Sequence, residues 1–247
     1  VLCERLLDDL LANPGSIVLT LIFGLGFLIT YDGQLGGATA IGLHTGGSYL
    51  AFIVPTGVLV ASFAAAAAGY LLARDIEDGY ADRLATLPLS PLLVAGAPML
   101  VGAAYAVAQA AVVLAVGAVL GAWPVTGFAG AVAILALAGL WGTGVAGYMT
   151  AAAILAREAE IMRLVDLSLF ALLFFFSPIL LPLDQLASWL RPLAQLNPAS
   201  YMLDGIRALM IEGWVAGSLA QALASGLGFT AAALAVATYA TRRGIRG

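Results

Sequence analysis

Five stretches of this chain, residues 49–73, 91–120, 129–156, 164–183 and 214–241, each run for 20 residues or more with Asp166 as their only Asp, Glu or Arg. A helix rises about 1.5 Å per residue, so each is long enough to cross about 30 Å of hydrocarbon. In that medium every backbone N–H and C=O must be satisfied within the protein, which leaves helices as the form open to runs of this length. A sixth run, 16–30, is short at 15 residues; begun at Pro14 behind an Asn13 cap and ended at Tyr31, it reaches 18. The expected fold is an all-α polytopic membrane protein. Its six spans are placed at 14–31, 49–73, 91–120, 129–156, 164–183 and 214–241, in one domain over 1–247 without internal repeat or linker.

Composition removes most other classes. The chain is 62% hydrophobic and 10% charged, against about 45–50% and about 25% in soluble domains, so too little polar surface exists to cover a soluble globule. All ten basic residues are Arg. Without lysine there is no P-loop for nucleotide phosphates and no Schiff-base chemistry. One histidine (His44) and one cysteine (Cys3) cannot make a zinc, haem or iron–sulfur ligand set. The expectation is a membrane protein that binds no metal, cofactor or nucleic acid and does no chemistry itself. Its all-Arg, Ala- and Gly-rich make-up points to a bacterial plasma membrane protein.

The arginines give the orientation. With both termini inside, Arg5, Arg74, Arg83, Arg157, Arg163, Arg242, Arg243 and Arg246 fall on the cytoplasmic side, and only Arg191 and Arg207 fall outside. Cytoplasmic loops carry the excess of basic residues, so N-in, C-in is the reading. Residues 1–13 place Leu2, Leu6, Leu7, Leu10 and Leu11 opposite Glu4, Arg5, Asp8 and Asp9, the pattern of an amphipathic helix lying in the cytoplasmic interface. The segment lacks the basic start and cleavage site of a signal peptide. The first residue is Val, and a few residues are expected upstream of it.

Between the fifth and sixth spans, 184–213 reads as a helical hairpin dipping into the outer leaflet. One short helix carries Leu186, Leu190 and Leu193 behind Asp184; Asn197-Pro198 breaks it; a second runs over about 200–212, with Trp189 and Trp214 as interface anchors. On the other face, 74–90 (RDIEDGYADRLATLPLS) concentrates charge in a chain that has little: Arg74, Asp75, Glu77, Asp78, Asp82 and Arg83, with Gly79 as a break and Leu84, Leu87 and Leu89 as an apolar side. Such a loop suits docking to a soluble partner.

Two motifs carry a family resemblance. Asp75, Gly79, Asp82-Arg83-Leu84 and Leu87-Pro88-Leu89-Ser90 resemble the D–G–DRL–(S/P)PxS signature of type-2 ABC exporter permeases, the daunorubicin-resistance type in particular. Asn197, Pro198, Tyr201, Asp204, Arg207 and Leu209 resemble that family's NP…(Y/V)…D..R.L box before the last span. The topology agrees over essentially the whole chain; Pro55-Thr56-Gly57, where many relatives have adjacent Pro-Gly, departs from it. The resemblance implies that 74–90 is the coupling segment for a separate ABC ATP-binding subunit, which would hold ATP and Mg, and that a second permease copy completes the pathway. It also implies that the first and fifth spans line that pathway, making Phe23, Phe27, Phe174, Phe175 and Phe176 candidates. Tyr105 and Gln109, polar at mid-membrane depth, are candidates for the path but suit interhelical hydrogen bonding better. Asp204 and Arg207, at i, i+3, suit a helix-surface pair.

Gly142, Gly144 and Gly147 spell a literal GxGxxG, but inside an apolar span they serve close helix approach rather than a dinucleotide. With hardly an ionisable group at depth, ion coupling or voltage sensing has no residues to act through. Energy is therefore expected from an ATPase on 74–90, and the cargo of an uncharged path is expected to be apolar or amphipathic: a drug, lipid or glycolipid. Two alternatives stay open. One is an ABC importer permease, although the EAA…G…IxLP loop of that class is absent; the other is a non-transporting membrane scaffold.

Overall fold

The apolar runs do become helices, but most of them are apolar all round, and what sets their arrangement is small residues rather than amphipathic stripes. A computed structural model describes residues 14–36, 48–77, 91–156 and 159–244. Among these there is helix and no strand. The elements are α1 (Pro14–Leu35), α2 (Tyr49–Glu77), α3 (Pro91–Val119), α4 (Gly127–Ala156), α5 (Ala159–Phe175), α6 (Arg191–Leu196), α7 (Pro198–Arg207) and α8 (Ala216–Gly244). Among the described residues, four helices are long and apolar enough to cross a membrane: Tyr49–Glu77, Leu92–Val119, Gly127–Ala156 and Ala216–Arg243.

At the centre lies α2, buried without interruption from 52 to 66, with α1, α3 and α4 packed around it. Its α-helical form tightens to a 3-10 turn over Phe63–Ala66. The cause is local: the Ser62 hydroxyl donates back to the Val58 carbonyl at 2.7 Å, a bond that bends helices. Where α2 crosses α4, a Cβ on Gly69 would stand 2.7 Å from the Met149 carbonyl carbon and 2.9 Å from its oxygen. The GxGxxG glycines do the same along α4: Gly142 faces Ala106 of α3, Gly144 lies on the Phe229 ring of α8, and Gly147 meets Ala233 and Met99. Those glycines are contact points between helices.

Aromatic rings tie the elements together across this close-packed centre. Trp141 of α4 stacks on Phe229 of α8 at 4.7 Å between centroids, while Phe63 meets Phe170 and Phe174 of α5 edge-on, each at 5.3 Å. Edge-to-face and offset pairs like these add stability beyond the area they bury.

Boundaries differ from the sequence expectation in four places. The second helix, expected to end at residue 73, continues one turn to Glu77, into the segment 74–90. The other three each have a physical cause. The first helix continues a turn past Tyr31 to Leu35. The fifth, expected over 164–183, runs Ala159–Phe175 instead. Pro178 has no N–H to donate and keeps Ser177 out of helical geometry, so the chain beyond Phe175 is irregular. In the connection that follows, no helix starts at Asp184; there is a 3-10 turn at Leu183–Gln185, and α6 begins only at Arg191. Asn197-Pro198 does interrupt, but as the cap of the next helix: Asn197 Oδ1 accepts from Ala199 N–H, and Pro198 takes the first turn, where no N–H is needed. Helix α7 runs into a π-type turn over Ala208–Glu212, closed by Gly213 N–H donating to the Ala208 carbonyl at 2.8 Å. Gly213 then turns away at φ +111°, a conformation that favours glycine.

Candidate functional site

Three helices enclose a cavity of about 460 Å³. Helix α5 supplies Arg163, Asp166, Leu167 and Phe170, whose i, i+3, i+4, i+7 spacing puts them on one face. From α2 come Val60, Phe63, Ala64 and Tyr70, the middle two belonging to the 3-10 turn; Thr20 and Phe23, at i and i+3, come from α1. Phe23 and Leu167 are more than half exposed, so the cavity opens on the molecular surface. Its walls are apolar and aromatic, and its polar end is built by Tyr70, Arg163 and Asp166. There the Tyr70 hydroxyl donates to Asp166 Oδ2 at 3.2 Å. Gln109 of α3 braces α1 by donating from Nε2 to Thr20 Oγ1 at 3.0 Å.

A second arrangement holds the broken end of α5. A helix end leaves its last carbonyls without partners, and a buried irregular stretch leaves more. Asn197 Nδ2 donates to the Leu173 carbonyl at 2.9 Å and the Leu172 carbonyl at 3.1 Å, and Ser177 Oγ donates to Phe174. Beyond the break, the Ile179 carbonyl accepts from Thr56 Oγ1 at 2.8 Å and Arg207 Nη2 at 3.1 Å, and the Leu180 carbonyl accepts from Tyr49 Oη at 3.2 Å. Arg207 also lies over the Phe52 ring at 3.8 Å from its centroid. Burial pulls its pKa down to about 10, which still leaves it charged at neutral pH.

Asn197 thus serves two elements at once, capping α7 and tying off α5. Asn197→Asp keeps the cap acceptor but turns a carboxylate toward the Leu172 and Leu173 carbonyls. We expect it to cost about 1–3 kcal/mol, as much as Asn197→Ala, because both abandon buried acceptors. Thermal melting of the solubilised protein checks this; an Asp variant as stable as the parent would show that capping alone matters.

The sequence candidates are dispersed by the structure. Phe23 lines the cavity, whereas Phe27 lies against Tyr31 with centroids 5.3 Å apart and is not among its lining residues. Of the phenylalanine triplet, Phe174 is in the core, Phe175 is exposed and Phe176 is half-buried; none of them lines the cavity. Gln109 makes an interhelical hydrogen bond, but the buried Tyr105 hydroxyl has no hydrogen-bond partner among the described residues. Arg207 and Asp204 do form the i, i+3 ion pair, but Arg207 is not on the surface. Its side chain is 7% exposed against 46% for Asp204, at an N···O distance of 3.8 Å, because it has turned inward to the Ile179 and Phe52 carbonyls. Tyr201 donates to the Gln195 carbonyl, linking α7 back to α6. Arg74 and Glu77 are exposed at the end of α2, and Asp75 is buried. Asp78, Gly79, Asp82, Arg83, Leu84, Leu87, Pro88 and Leu89, and the segment with Glu4, Arg5, Asp8 and Asp9, lie outside the described residues.

The cavity is not uncharged: Asp166 and Arg163 both line it. Asp166 stands out in the sequence as the only Asp, Glu or Arg of the apolar runs, but neither it nor Val60, Phe63, Tyr70 and Phe170 is among the sequence candidates. The signal available was Asp166 itself, the single ionisable residue in the apolar runs, with Phe170 four positions on.

A protein-family model, that of the ABC-2 type transporter, matches residues 13–211. The chain belongs to the ABC-2 type transporter family. No curated protein matches it. As an ABC-2 permease it is a multi-pass membrane component of a transporter rather than a catalytic ATPase, and the family works with an ABC ATP-binding partner. The matched region contains the cavity and both anchors of the ABC-2 permease's broken fifth helix, Asn197 and Arg207.

Proposed function

We propose that this chain is the permease subunit of an ABC exporter of the daunorubicin-resistance type, carrying an apolar or amphipathic drug, lipid or glycolipid outward across a bacterial plasma membrane. The cavity between α1, α2 and α5 carries the reading: apolar walls and an opening on the surface suit a cargo that enters from the bilayer. In this reading α1, at 22 residues, and α5, at 17 residues with its non-helical extension, join the four longer helices as six spans. The arginine bias places both termini inside and 184–213 outside as a helical hairpin. The exposed apolar faces of α1 (Val18, Ile22, Ile29) and α5 (Leu164, Leu172) meet a second copy of the permease.

The drive comes from below. ATP and its Mg ion bind on the partner ATPase, whose closure pushes on 74–90 and the interface helix over 1–13. The lower part of α2, Ala67–Glu77, transmits that push to the 3-10 turn at Phe63–Ala66, which forms part of the cavity wall. A scaffold has no use for such a cavity.

Replacing Asp82 and Arg83 together by alanine is expected to abolish transport while membrane insertion stays intact. The measurement is ATP-driven cargo movement in vesicles containing the permease and its ATPase, beside pull-down of the ATPase. Full transport with normal pull-down in that variant would remove 74–90 as the coupling segment, and a parent that moves no cargo with ATP and its ATPase would overturn the proposal.

A further inference from the structure

We propose that the polar end of the cavity is a binding subsite for a lipophilic organic cation, with Asp166 as its counter-ion and the surrounding rings as its cage. The proposal deepens the exporter reading, on which it rests, by naming the charge of the cargo.

Three observations lead to it. First, Asp166 is the one carboxylate in the apolar runs and is half-buried beside the cavity, where a carboxylate is expensive unless something offsets its charge. Second, among the described residues no cationic side chain is paired with it. Tyr70 gives one hydrogen bond to Oδ2, a neutral donor that orients the carboxylate without neutralising it. Among the described residues no ion pair joins Asp166 to Arg163, although both line the same cavity. Third, the remaining lining is what an organic cation prefers. Phe23, Phe63, Tyr70 and Phe170 all bring aromatic rings to this cavity, and a cation is drawn to ring faces, more strongly as it loses water. The volume of about 460 Å³ is that of a site for a drug-sized molecule rather than a metal ion.

The two charges of the cavity are not equivalent. Arg163 is exposed, so solvent screens it, while Asp166 is half-buried and its field is felt at closer to full strength. A cation is therefore favoured over an anion of the same shape. Arg163, one turn nearer the start of α5, acts against that preference and weakens the site.

The full chain in phosphatidylcholine nanodiscs, with protein-free discs subtracted, tests this with two probes of the same shape and opposite charge, tetraphenylphosphonium and tetraphenylborate. Tetraphenylphosphonium is expected to bind saturably and tetraphenylborate not to. Asp166→Asn is expected to weaken tetraphenylphosphonium binding about tenfold, and Asp166→Glu by no more than about threefold. Arg163→Ala, a change at an exposed position that the fold tolerates, is expected to tighten it by about two- to fivefold. Equal binding of the two probes, or Asn and Ala variants that both bind tetraphenylphosphonium like the parent, would overturn the subsite. The two proposals fail separately. Charge-blind binding beside normal ATP-driven export removes the subsite and keeps the exporter. Charge-selective binding in a protein that moves no cargo with ATP and its ATPase keeps the subsite and removes the exporter.

Discussion

Arg207→Ala is expected to destabilise the solubilised protein by roughly 3 kcal/mol, a fall of roughly 6–12 °C in the melting midpoint for a chain of this size. The side chain is buried, donates to the Ile179 and Phe52 carbonyls and stacks on the Phe52 ring. A hydrogen bond from a charged group contributes about 1.5–3 kcal/mol, and the cost of burying the guanidinium offsets part of the sum. Arg207→Lys should lose nearly as much, because a compact ammonium cannot lie flat on Phe52 and reach both carbonyls. Thr56→Ala should lose less, about 1 kcal/mol, since Arg207 still serves the Ile179 carbonyl. An Arg207→Ala variant melting within about 2 °C of the parent would show that the broken end of α5 is held by other means.

Gly69→Leu is expected to prevent the folded protein from accumulating at all, and Gly69→Ala to cost about 3 kcal/mol, at the upper end of the overpacking range. The added Cβ meets the backbone of Met149, which cannot step aside without parting α2 from α4. Alanine's better helix propensity, about 1 kcal/mol, offsets only part of that. The contrast with other glycines makes the test specific. At Gly147 the added Cβ would meet the flexible end of Met99 and the Cβ of Ala233, each at 2.9 Å, so Gly147→Ala should cost about 2 kcal/mol, less than at Gly69, where the neighbour is backbone. At Gly96 nothing lies within 4 Å, and Gly96→Ala should stabilise through propensity alone. Size-exclusion profiles of a fluorescent fusion, followed by melting, read all of these. Equal stability of Gly69→Ala and Gly96→Ala would refute close packing as the basis of the α2–α4 contact.

The order of effects among these glycines could not be read from the sequence. Gly69 and Gly96 both sit among small apolar residues and differ only in what the fold brings opposite them. The same holds for Asp166 and Arg207. Their presence as rare charges was plain, but whether a side chain meets solvent, a cavity or a neighbouring carbonyl depends on how its helix is rotated. In a soluble protein the alternation of apolar and polar residues reveals that rotation. Here the lipid-facing and inward-facing sides are equally apolar, so the pattern is silent. That is why Arg207 was expected on a surface, Phe175 was a path candidate as much as Phe174, and Phe63 and Phe170 went unnoticed.

Chain-local features fared differently. The length of the charge-free runs and the Asn197-Pro198 junction follow from hydrocarbon thickness and backbone chemistry, which act within one segment. The stop of the fifth helix before Pro178 is equally local, although the expected span ran through it to residue 183. So is the small-residue character of the GxGxxG span. The sequence by itself therefore determined that this is a helical membrane protein with its helices where the charge is absent. Only the tertiary structure decided which three helices enclose a cavity, that a carboxylate lines it, and that one arginine is spent on the broken end of a helix. Contacts between helices depend on rotation and depth, which a uniformly apolar sequence leaves open and close packing settles.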